Sequence, residues 1–128
     1  MGEIRSGEGG SSPERGSVHA LLEPDRTRVV LSGEVDVALD TEFTEAVAEA
    51  EAAGARAEVD ARHLTFIDSS GMALLARLAS RTPGRTVLFD PPEVLRFLLT
   101  VTKIGELLEV VTSDAAENGS QEPPDGVA

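Results

Sequence analysis

Asp68-Ser69-Ser70-Gly71 sets a carboxylate and two hydroxyls directly ahead of the apolar run Met72-Ala73-Leu74-Leu75. At such a junction an acidic or hydroxyl side chain accepts hydrogen bonds from the free N–H groups of a helix's first turn, so Asp68 or Ser69 reads as a cap. Gly71 in that first turn lowers helix propensity, which predicts that something approaches the backbone there. Two chemistries suit hydroxyls held at the mouth of a rigid apolar helix. As a nucleophile, Ser69 or Ser70 would need a base within hydrogen-bond reach and an oxyanion hole. The nearest imidazole, His63, falls in an expected loop before the serines, and no Gly-x-Ser-x-Gly elbow is present. As a phosphate acceptor, a serine at a helix N-terminus would carry its charge at the favourable end of the helix dipole. The fold would survive while the surface gained about −1.5 to −2 charges.

Other chemistries lack their residues. Cysteine is absent, which excludes thiol nucleophiles, thiolate metal sites and disulfides. His19 and His63 are the only imidazoles, too few for a His-rich metal site. Asp36, Asp40 and Asp68 do not have calcium-loop spacing. Gly7, Gly9 and Gly10 follow no strand and make no phosphate loop. Four Phe with no Trp or Tyr, and a net charge of −12, argue against base stacking and against a phosphate-backbone partner. No apolar run approaches the roughly 20 residues of a membrane span, and Met1–Gly16 has no apolar stretch of signal-peptide type. The expectation is a cytoplasmic, non-enzymatic protein with no cofactor, no nucleic-acid partner and no membrane contact.

The elements that must position the serines occupy the middle of the chain. Residues 1–17 are Gly-rich and polar, and residues 113–128 are acidic with a Pro123-Pro124 pair; both are expected to be disordered tails. They hold −1 and −4 of the charge, leaving −7 on a single domain at 18–112. Within it, Val18–Leu22 and Thr27–Leu31 read as a hairpin around Pro24 and Asp25. Leu39, Phe43, Ala46, Val47 and Ala50 recur at helical spacing before Gly54. Arg56–Ala61 reads as a weak strand, Leu64–Ile67 as an apolar loop, and Met72–Leu78 as an apolar helix packed on more than one side. Thr86–Phe89 is a strand, Glu93–Val101 a helix opened by Pro91-Pro92, and Leu107–Val111 a last strand. The order β-β-α-β-α-β-α-β predicts an α/β fold, a small mixed β-sheet with helices packed on one face and right-handed parallel crossovers. Glu58 interrupts its strand and requires solvent or a partner.

Leu64 through Leu75 resembles the signature of STAS domains, the anti-sigma factor antagonists of bacterial partner-switching systems. That signature is an apolar residue, a small polar one, Phe, an apolar residue, Asp-Ser-Ser-Gly and an apolar helix. Leu31-Ser32-Gly33-Glu34-Val35-Asp36 is similar to the family's second strand. Val87-Leu88-Phe89 and Pro92 through Leu98 are similar to its fourth strand and third helix, so the resemblance spans residues 18–112. It implies an antagonist that binds an anti-sigma factor with serine kinase activity and so frees a sigma factor. Phosphorylation at Ser69 would release it, and a metal-dependent serine phosphatase would restore it. Asp36, Asp68, Ser70, Gly71 and Met72 would then contact the partner, with Ser69 near the centre of the contact and the free protein a monomer. The alternative is a non-switching STAS-type scaffold, a subunit of a larger complex such as a lipid-transport or stress assembly. Three features depart from the pattern: Ala57 and Glu58 replace an apolar pair, Thr102-Lys103-Ile104 stands for Thr-Gly-Leu, and both tails are extra.

Overall fold

A computed structural model describes residues 16–112. The two expected tails lie outside the described residues, except for Gly16 and Ser17, the latter belonging to the first strand. That strand, β1 (Ser17–Leu22), pairs antiparallel with β2 (Arg26–Val35). The Glu23 N–H donates to the Arg26 carbonyl at 2.9 Å across the turn, so the expected hairpin is present. β2 is longer than Thr27–Leu31. Its residues alternate strictly between buried and half-buried from Arg26 to Gly33, as a half-covered strand requires.

The main correction concerns β3, which runs from Arg56 to Ile67 and is the longest strand. The apolar loop expected at Leu64–Ile67, and the loop holding His63, are its second half. Pairing with β2 advances from Val30↔Asp60 to Ser32↔His63, and from Gly33↔Leu64 to Glu34↔Phe66, so β3 gains an extra residue twice. Each bulge turns the side chains beyond it over. The buried positions therefore change from Ala57, Val59 and Ala61 to Leu64 and Ile67, and the two-residue period vanishes.

The sheet is joined by three helices: α1 (Asp40–Ala53), α2 (Ser69–Arg81) and α3 (Glu93–Thr102). α1 buries Phe43, Ala46, Val47 and Ala50 and ends at Gly54 in the left-handed region, φ 71°. α2 begins at Ser69, three residues before the expected Met72, so the serines are in the helix rather than ahead of it. β4 (Thr86–Phe89) matches its expected bounds. β5 (Leu108–Val111) starts one residue late, because Leu107 closes a 3-10 turn from Ile104.

The sheet order is β1-β2-β3-β4-β5, parallel from β2 onward. It is the expected mixed sheet with helices on one face. Val29, Leu31, Ala57, Val59 and Leu88 join Phe43, Val47, Leu75, Leu78 and Leu95 in one core. The alternate residues make a charged face. Glu58, only 5% exposed, accepts from Arg26 Nη1 at 3.2 Å and Arg28 Nη1 at 3.4 Å. Arg28 also reaches Asp60 Oδ2 at 3.5 Å and stacks over the Phe89 ring, 5.5 Å to the centroid. The partner that Glu58 required is thus a pair of arginines on β2.

Candidate functional site

Parallel pairing brings Val35 of β2 opposite Ile67 of β3, so the next residues, Asp36 and Asp68, leave the sheet side by side. The Asp68 N–H donates to the Val35 carbonyl at 3.3 Å and ties the two strand ends together. Each aspartate is extended and starts a helical turn. Asp36 accepts from the Ala38 N–H at 3.0 Å and caps the 3-10 turn Val37–Leu39. Asp68 accepts from the Gly71 N–H at 3.1 Å and caps α2, while its carbonyl receives the Met72 N–H at 3.0 Å.

The two serines have different duties. Ser70 is half-buried and its hydroxyl donates to Asp68 Oδ1 at 2.7 Å. That bond, followed by the Gly71 N–H and then the backbone N–H groups of Ser70 and Val37, holds the Asp68 carboxyl below its ordinary range. Ser69 is exposed at the first position of α2. Of the two hydroxyls, it is the one open to modification.

Gly71 is explained from inside the protein. A Cβ there would lie 2.6 Å from Ile67 Cγ1 and 2.9 Å from Ile67 Cδ1. What approaches the backbone is the last side chain of β3, and Gly71 is buried rather than displayed. Met72 is buried as well, and it lines a groove of 440 Å³ between α2 and α3. Phe66, Val94, Leu98 and Ile104 complete the apolar wall, with Asp68 and Ser69 also on its lining.

Sequence reasoning missed this groove. Phe66 is 45% exposed, and on α3 Phe97 and Val101 are 65% and 58% exposed. The signal for the groove was the four-residue step Val94, Leu98, Thr102 beside the inward stripe of Leu95 and Leu99; Phe97 and Val101 are exposed apolar residues of the same helix outside the groove lining. Val37, 68% exposed, adds a further apolar side chain just after Asp36. His63 pairs with Ser32 in the sheet and does not line the groove. Among the described residues, no three potential ligands come together to hold a metal ion, and no helix is long and apolar enough to cross a membrane.

Residues 19–109 match the family described as "Mlab, STAS domain". No curated protein sequence matches significantly. Among solved structures, an anti-sigma factor antagonist from Mycobacterium paratuberculosis superposes with a TM-score of 0.66 at 16% identity, over 77% of this chain and 87% of that one. The anti-sigma factor antagonist SpoIIAA in its unphosphorylated form gives 0.61 at 21% identity, over 82% and 96%. The Bacillus cell fate determinant SpoIIAA in its phosphorylated form gives 0.61 at 21%, over 82% and 100%. At these identities the likeness concerns the fold.

Proposed function

The chain belongs to the STAS domain family, and from that premise we propose that it is an anti-sigma factor antagonist switched by phosphorylation of Ser69. In the unmodified state the mouth of α2 and the groove beside it bind an anti-sigma factor that is also a serine kinase, which frees the sigma factor. Phosphorylation ends the contact, and a metal-dependent serine phosphatase reverses it. The observation that carries this reading is the division of labour at the cap. Asp68 caps the helix terminus and Ser70 donates its hydroxyl to that capping carboxylate, while Ser69 stands exposed beside an apolar groove.

The consequence is electrostatic. Because the Asp68 carboxylate already holds the Gly71 N–H, a phosphate on Ser69 meets a resident anion instead of an empty helix terminus. Its roughly −1.5 to −2 charges stay on the surface, next to a groove built for apolar contact. Moving partner occupancy from 99% to 1% needs about a 10⁴-fold loss of affinity, or roughly 5.5 kcal/mol. A charge at the rim of an interface does not supply that, so Ser69 belongs near the centre, with Asp36 and Asp68 beside it and Met72 as the groove floor.

The test is intact-mass spectrometry after incubation with ATP and an extract of the native cells shown to contain active kinase, with Ser69→Ala as control. One phosphoryl addition mapped to Ser69 and absent from the variant is expected; no addition sinks the switch. The second reading, a non-switching scaffold in a larger assembly, is favoured by the exposed stripe of Phe97 and Val101, which lies outside the groove lining. It requires that partner capture be indifferent to Ser69→Asp.

A further inference from the structure

β1 is an edge strand, and its one neighbour among the described residues is β2. Counting in twos along the register from the Glu23–Arg26 bond, the odd-numbered residues of β1 turn their N–H and C=O groups to β2. Those of Val18, Ala20 and Leu22 therefore face outward. An open row of this kind is a template for another strand, and proteins blunt it with charges, prolines or bulges in the strand itself. Ser17–Leu22 carries none of the three. The opposite edge, β5, is four residues long and holds Glu109. β1 is longer, uncharged, and displays His19, Leu21 and Leu22 at the surface.

The helix above this edge supplies what the strand lacks. α1 packs on β1 and on α2, and Glu51, bound to Arg77 Nε at 2.7 Å, marks the flank that faces α2. Glu42 and Glu49 lie about 160–180° around the helix from Glu51, on the flank above the free edge. Both are exposed. Of the acidic side chains of α1, Glu51 alone is in an ion pair with a described residue. The helix has no basic residue, and Glu45 and Glu49 stand one turn apart, a like-charge pair that weakens it. Carboxylates kept at that cost beside an open strand edge point to a cationic occupant.

A second copy does not fit. Edge-to-edge pairing would turn Glu42 and Glu49 of each copy towards those of the other, on a chain already at −12. We propose that the free edge of β1 docks an extended, basic segment of a protein partner, added to the sheet as a sixth strand with its lysine or arginine side chains against Glu42 and Glu49. Backbone pairing with Val18, Ala20 and Leu22 supplies the affinity of strand addition, and the two glutamates select for positive charge. Glu42 and Glu49 are seven residues apart, about 10 Å along the helix. Two long cations two or four strand positions apart, about 7 or 13 Å, reach them. No residue of this surface lines the groove beside Ser69, so the contact does not depend on the Ser69 switch.

The probe is a fluorescent, end-capped peptide of alternating threonine and valine flanked by lysines, titrated against the full chain by anisotropy and by amide hydrogen exchange. Binding should slow exchange at Val18, Ala20 and Leu22 and leave His19 and Leu21, already bonded to β2, unchanged. A glutamate-flanked peptide should not bind. The lysine-flanked peptide N-methylated throughout keeps its charge but cannot donate to a strand, and should bind at least about tenfold more weakly. Glu42→Gln/Glu49→Gln should weaken binding about fivefold. Glu93→Gln/Glu109→Gln removes the same charge elsewhere on the surface and should change it by less than about twofold.

Failure of the lysine-flanked peptide to bind overturns the proposal. Equal binding of its N-methylated form, or equal effects of the two glutamine pairs, does the same and would mean diffuse charge. So does slow exchange at Val18, Ala20 and Leu22 before any peptide is added. Were that protection independent of protein concentration, the chain's own N-terminal residues would be the occupant; were it to grow with concentration, a second copy would be.

Discussion

One carboxylate, that of Asp68, caps α2 and anchors the Ser70 hydroxyl, while the backbone of the same residue closes the β2–β3 junction. Its folded pKa is below the ordinary 3.8, chiefly because of the Ser70 bond and then the Gly71 N–H. The folded carboxyl gives up its proton more readily than the unfolded one. Its stabilisation is therefore complete above pH 3.8 and fades as pH falls through the lower folded value. Asp68→Asn keeps a capping oxygen but loses the charge, so it should cost about 1 kcal/mol at pH 7. Urea midpoints of parent and variant should approach each other as pH falls below 3.8; a constant gap would mean the charge is not what matters. The cap itself was legible in the sequence, because Asp-Ser-Ser-Gly before an apolar run is a local signal. The reason for Gly71 was not, since the Ile67 side chain meets it only once β3 has turned into α2.

Elements were legible where a period survived. β2 and α1 keep theirs and β4 was legible as a short, continuously buried run, whereas β3 loses its period at two bulges and so looked like a short weak strand and then a loop. The same strand carries Glu58, which in isolation reads as a misplaced charge and in the sheet lies under Arg26 and Arg28. The two arginines are not equivalent. Arg26 also pairs with the exposed Asp25 and Glu23, while Arg28 joins Glu58 to Asp60 and lies over Phe89. Arg28→Met retains the stem's packing but leaves Glu58 with one cation. Since the arginine is about a third exposed (29%), solvent screens part of the loss, and a destabilisation of about 1–2 kcal/mol is expected by urea unfolding. Arg26→Met should cost less, because its side chain is the more exposed of the two. The reverse ranking would place the main support of Glu58 at the hairpin rather than in the middle of the sheet.

At the scale of the whole molecule, a net charge of −12 raises the question of whether the proposed phosphate would act through the total or through its place. The total changes little: one more carboxylate alters the long-range field by a small fraction, and that field acts mainly on association rate and is screened within about 10 Å at ordinary salt. The place differs sharply, because Ser69 lies on the lining of an apolar groove that a partner must dehydrate. Two variants of equal net charge separate these effects. Ser69→Asp puts the extra charge at the groove, and Thr44→Glu puts it on an exposed position of α1. Both folds should be preserved. For the proposed anti-sigma partner, Ser69→Asp should weaken binding at least tenfold, about 1.4 kcal/mol or more, mainly through faster dissociation. Thr44→Glu should change affinity by less than about twofold and only through association rate. If both variants weakened binding equally, and salt abolished the effect of both, the switch would be a matter of overall charge, and the groove beside Ser69 would have no special part in it.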